Sequence, residues 1–176
     1  MRTSLCDLTG GSDASGWIVA LLLFTPAVAQ EATMLSIEGW RSHTSEGTVY
    51  YDCASPTCAV GSEVNYKPQR HRATITLPDF EKHHRWLAGL NRDVSKIRDV
   101  RISDVNERAI EGVRVLQVNR EVDWTDNTTT FSIEARLIGP ERSFSLVSDS
   151  PRPESTASNY EGFLRRLLDI AAIKSH

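Results

Sequence analysis

From Thr128 to Leu137 apolar and polar residues alternate without a break. Phe131, Ile133, Ala135 and Leu137 face one way, and Thr130, Ser132, Glu134 and Arg136 face the other. Successive side chains of a strand point to opposite sides of a sheet, so this period predicts a strand with one buried and one wet face. Half-buried strands of this kind are characteristic of antiparallel sheets. The flanks supply the turns, with Asp126-Asn127 before the run and Gly139-Pro140 after it.

The rest of the chain fills in around that strand. Leu35 to Arg41, Thr48 to Cys53 and Ala59 to Tyr66 read as three earlier strands, with Gly61 marking a bulge or a close backbone approach. Ala73 to Thr76 is a short strand or the lead-in to a helix. That helix is expected from Thr76 to Arg92, with Thr76 as its cap, Pro78 in its first turn and Asp79 near its positive end. Its apolar stripe reads Phe80, His83, Leu87, Leu90 and Val94, placing His83 at the edge of the core and His84 in solvent.

Further strands follow at Val100 to Ile110, Gly112 to Trp124 and Arg142 to Ser148, with Leu116, Val118, Val122 and Trp124 sharing one face of the second. A break at Ser150 to Pro153 leads into a last helix from Ser155 to Ile173, striped by Tyr160, Phe163, Leu164, Leu167, Leu168 and Ala171. The order of strands, helix, strands, helix predicts an α+β domain: a single antiparallel sheet carrying two main helices.

Trp17 to Val28 is an apolar run followed by Ala27-Val28-Ala29 and the polar Gln30-Glu31, the pattern of a secretory signal peptide. It falls short of the roughly 20 apolar residues of a comfortable membrane span. The preceding stretch departs from a basic leader, carrying Arg2 but also Asp7 and Asp13. The expectation is a signal peptide at 1–29 and a single domain at 30–176, exported, and periplasmic in a bacterial host. No integral membrane domain would then follow cleavage. An uncleaved anchor, tethering an accessory subunit, is the alternative.

Losing Arg2, Asp7 and Asp13 would change the formal charge of −3 by one unit. With no basic cluster, the chain has no electrostatic footprint for nucleic acid.

In an exported chain Cys53 and Cys58 are the two remaining cysteines, and the short loop between them contains the turn-former Pro56. An even count in an oxidising compartment reads first as a structural disulfide. A zinc site needs four ligands, and a thioredoxin-type redox pair spaces its cysteines by two residues, not four.

His83-His84, with Glu81 nearby, is the one histidine cluster. Adjacent helical residues point about 100° apart, which suits neither a shared metal nor the zinc-protease spacing. No nucleophile elbow and no glycine-rich phosphate loop occur. Glu121, Asp123 and Asp126 gather near a hairpin and read as a solvated turn. Asn127-Thr128-Thr129 matches a glycosylation acceptor. Trp40 and Trp86, if exposed, would serve as binding anchors together with His83 and His84.

The chain's end, Phe144-Ser-Leu-Val-Ser-Asp-Ser-Pro and then Asn159-Tyr-Glu-Gly-Phe-Leu-Arg-Arg-Leu, resembles the way domains of the PsbP-like group end. That group includes lumenal extrinsic subunits of photosystem II, a nuclear-transport regulator and exported bacterial proteins of unknown role. The resemblance covers the last half of residues 30–176 together with the element order. It implies the α+β fold and an accessory or binding role, and it carries no catalytic residue and no cofactor. The expectation is therefore a non-catalytic module for an unidentified protein or small-molecule ligand. An enzyme using His83 or His84 with a nearby carboxylate is the alternative.

Overall fold

The computed structural model describes residues 33–54, 56, 58–91 and 96–172. The leader expected at 1–29, with Cys6, and the stripe residue Val94 lie outside the described residues. Among the described residues seven strands form one antiparallel sheet: β1 (Trp40–Ser45), β2 (Thr48–Cys53), β3 (Glu63–Gln69), β4 (Ile97–Ile110), β5 (Val113–Trp124), β6 (Thr129–Ile138) and β7 (Ser143–Ser150). Helix α1 (Leu77–Asn91) follows β3, and α2 (Pro153–Ala171) closes the fold. The order across the sheet is β1-β2-β3-β7-β6-β5-β4. The α+β expectation therefore holds.

Two hairpins turn in the same way. Glu46-Gly47 joins β1 to β2 and Glu111-Gly112 joins β4 to β5, with φ of 50° and 74° in the first and 50° and 81° in the second. Two consecutive positive φ values match the right-handed twist of the strands they connect, and glycine takes the second without a steric cost.

The first strand differs from the expectation. Residues 35–39 do not pair; Leu35 and Ile37 pack on the core instead, and the Tyr51 hydroxyl is clasped by the backbone of Leu35. Pairing begins at Trp40, in a largely exposed edge strand whose polar sequence carries no alternation. Likewise β3 starts four residues late, after Gly61 turns the chain at φ 82°. It extends through Pro68, which pairs on β7 beyond the end of β2, where no neighbour needs its missing N–H. Residues 73–76 form no strand and lead into α1.

The helices lie on opposite faces of the sheet. Helix α2 lays Tyr160, Phe163, Leu164, Leu167, Leu168 and Ala171 on Val64, Tyr66, Ile133, Leu137 and Leu146, and the stripe read from sequence is buried throughout. Tyr51 and Trp40 pack edge-on against Phe163 in the same cluster. Helix α1 sets Phe80 against Leu116, Val118 and Ile138, and Ala88 against Val100 and Val122. The first half of strand β5 is therefore apolar on both sides: Val113 and Val115 serve the α2 core, while Leu116 and Val118, and Val122 further on, serve the α1 core.

Helix α1 starts as its sequence dictates, with the Thr76 hydroxyl accepting the Asp79 amide at 3.3 Å. Its buried face is rotated from the expected stripe. Phe80, His84 and Ala88 face the sheet, whereas His83 is exposed and Leu90 keeps 47% of its surface. The i, i+4, i+8 line wins because Ala88 lets the helix approach the strands and His84 finds a polar partner there.

A groove between helix α1 and the open half of the sheet

Helix α1 lies over β4 and β5 and reaches β6 through Phe80 and His84, while among the described residues the same face of β7 and β3 carries no helix. A groove of about 830 Å³ runs between α1 and this open half, floored by Val147 and Ser145 and walled by Phe80, Leu87, His83 and His84. The chain from Gln69 to Ile75 closes one end with Arg70 and Arg72.

His84 is the buried element of that wall. Its Nδ1 lies 3.3 Å from Glu134 Oε2, and Glu134 Oε1 lies 2.7 Å from Arg120 Nη2, as an ion pair without hydrogen-bond alignment. Arg120 and Glu134 are diagonal neighbours, because Arg120 pairs with Ser132 across β5 and β6 and Glu134 stands two residues further on. Burial, then the neighbouring His83 and the Arg120 cation, lower the His84 pKa to about 4. Glu134 is already neutralised by Arg120, so it cannot hold a proton on the ring against that burial. An uncharged His84 can give its Nδ1–H to the carboxylate and keep a lone pair on Nε2.

One row along, the Ser132 hydroxyl donates to Asp149 on β7, and burial raises the Asp149 carboxyl above its ordinary value. The register continues this row to Glu63 and Asp52. On the other side of Glu134 the row reads Arg136, Ser145 and Lys67. The open face thus runs from acidic to basic across three rows, with the basic row at the groove's closed end.

The structure separates the residues singled out by sequence. His83 and His84 line the groove, in reversed roles: His84 is the buried one and His83 the exposed one. Trp86 stands 58% exposed on the outside of α1, with its ring centroid 6.0 Å from that of His83. Trp40 belongs to the opposite face, 5.2 Å from Phe163. Cys53 and Cys58 form a disulfide with Cα atoms 5.9 Å apart, next to the edge strand and away from the groove.

Asp123 and Glu121 are held by Arg101, and Asp126 closes its own turn on Thr128, so that carboxylate cluster is committed to the scaffold. Among the described residues no group of three or more His, Cys, Asp or Glu side chains is placed to hold a metal.

Sequence reasoning missed Arg120, Glu134, Asp149 and Arg136. The signal was present as charged and polar residues on every second position of β6, but those positions were read as wet. Only the register across β5 and β7 brings them together. The chain matches no protein-family model, and no similar protein is found among curated ones.

Proposed function

We propose that the protein is an exported binding module that takes a small ligand into the groove between α1 and the open half of the sheet. The groove itself carries this reading. A helix that covers part of a sheet face leaves a concave strip in which the apolar Phe80, Leu87 and Val147 meet a few converging polar groups, the usual make-up of a ligand site. The Cys53–Cys58 disulfide supports export, since such bonds persist in oxidising compartments. No helix among the described residues is long and apolar enough to cross a membrane. The resemblance to exported members of the PsbP-like group points the same way.

The test is titration with N-phenylnaphthylamine, an uncharged dye that brightens in apolar surroundings. Saturable binding that Val147→Trp abolishes is the expected result. Absence of binding, or binding indifferent to a tryptophan on the groove floor, rejects the groove as the site. Intact mass of protein recovered from cells tests export: residues 1–29 should be missing, along with two hydrogens at the cysteines.

A second reading rests on the His84–Glu134 contact at 3.3 Å. A neutral imidazole oriented by a carboxylate is the arrangement of a general base. In that case a chromogenic ester would be turned over at a rate lost in His84→Asn, while dye binding would persist. A rate unchanged by that substitution removes the enzyme reading.

A further inference from the structure

Arg136 is a half-buried guanidinium at the closed end of the groove, and neither carboxylate that lines the groove, Glu134 or Asp79, forms an ion pair with it. Its Nη2 donates to the backbone carbonyl of Arg70 at 2.8 Å, and its buried Nε has no acceptor. Among the described residues no carboxylate forms an ion pair with Arg136, Arg70 or Arg72. In the neighbouring row of this face the cation is paired, Arg120 with Glu134 and Glu134 with His84, and beyond it Asp149 is held by the Ser132 hydroxyl.

Burial and the facing Arg72 cation together push the Arg136 pKa down, so its charged form is held at a cost that a bound anion would relieve. The basic row extends across the sheet to Lys67, which is exposed. Directly beside this row lie Phe80, Leu87 and Val147, which are apolar.

We propose that the groove takes an amphipathic anion. Its oxyanion, a carboxylate, sulfonate or phosphate, sits between Arg136 and Arg72, and its apolar body lies along Phe80, Leu87 and Val147. This rests on the groove being the binding site and adds the ligand's chemistry. A guanidinium offers planar donors that match an oxyanion, and pairing inside a partly dry groove is stronger than in open water. The arrangement also orients the ligand, because the row beyond Glu134 is acidic (Asp149, Glu63) and would repel the same anion.

The experiment compares two dyes of one shape: anilinonaphthalene sulfonate, an anion, and N-phenylnaphthylamine, its uncharged relative. The wild-type protein should bind the sulfonate about tenfold more tightly than the amine, the scale of one good charge-assisted contact. Arg136→Gln combined with Arg72→Gln should erase that tenfold difference and leave amine binding unchanged. Lys67→Gln, at an exposed position, should weaken the sulfonate by a smaller factor without disturbing the fold. Sodium decanoate should displace the sulfonate, and sodium sulfate at equal ionic strength should not.

Equal affinity for the two dyes, or a sulfonate preference that survives the double substitution, overturns the anion assignment while the groove stands. Displacement by sulfate alone overturns the amphipathic part. Failure of both dyes to bind rejects the groove itself.

Discussion

Gly139 and Ala171 touch through backbone alone: the turn after β6 abuts the last turn of α2 so closely that a methyl group on Gly139 would overlap the Ala171 carbonyl. Gly139 is also fixed from its other side, its N–H donating to the Arg142 carbonyl at 2.9 Å. Neither neighbour is a flexible side chain that can swing aside. Gly139→Ala should therefore destabilise the fold by about 2–3 kcal/mol, the scale of overpacking in a core. Urea unfolding measures it, and a midpoint equal to that of wild type would show that α2 can shift away freely.

Glu134 serves both Arg120 and His84, with 13% of its side chain exposed. Glu134→Gln keeps the shape and removes the charge, leaving the Arg120 cation in a largely covered position. A loss of roughly 2 kcal/mol is expected, below the cost of a fully buried pair because Arg120 retains some solvent contact. Arg120→Met with Glu134→Leu should cost less than the single change, since no charge is then stranded. A double-variant loss as large as the sum of the Arg120→Met and Glu134→Leu losses would mean that the pair carries no coupling.

His84 makes stability depend on pH in a definite direction. Its pKa is about 4 when folded against an ordinary 6.5, so above pH 6.5 both states are neutral and it contributes no slope. Between pH 6.5 and about 4 the unfolded chain binds a proton that the folded one refuses, and stability falls as the pH falls. The groups facing the ring are Glu134 from β6, Arg120 from β5, and His83 and Phe80 from its own helix. The loss is on the order of 2 kcal/mol, reduced from the full shift because burial is incomplete. Comparing wild type with His84→Gln by urea unfolding at pH 7 and pH 4.5 isolates this residue from the carboxylates. Parallel losses in the two proteins would show that His84 is not the group responsible.

The Cys53–Cys58 bond closes a short loop, so on the chain-entropy model its removal should cost only about 2 kcal/mol. Reduction should lower the urea midpoint while leaving β2 and β3 paired. Dye binding in the groove should be unaffected, since the disulfide lies away from it. A loss of dye binding on reduction would show that the clasp and the groove are coupled.

What could be read from the sequence, and what could not, follows from range. The alternation of β6 and the stripe of α2 are local patterns backed by a continuous core, so both were legible. Trp40–Ser45 was not, because an edge strand exposed on both faces has no reason to alternate; its one local signal was Glu46-Gly47, a two-residue turn. The face of α1 was misread for a different reason. The spacing of Phe80, Leu87 and Leu90 puts His83 on the core side and His84 in solvent, whereas the register of β5 on β6 supplies Glu134 as a partner that turns His84 inward. The groove's charged groups come from β5, β6 and β7, and their meeting is a property of strand pairing that no single stretch of sequence displays.

The two-sided burial of β5 is confined to its first half, and that changes where its alignment is fixed. In an ordinary half-buried strand, an off-by-one pairing throws every apolar side chain into water, and that penalty alone enforces the frame. At the start of β5 such a slip would exchange Val113 and Val115 for Leu116 and Val118, one oily set for another, so hydrophobicity discriminates weakly there. Further along, the same slip would carry Gln117, Asn119 and Glu121 under α1 in place of Val118 and Val122, and the penalty returns. The far half of the strand, together with the turns at Glu111-Gly112 and at Asn127 with its φ of 66°, therefore decides which alignment of the central hairpins the chain adopts.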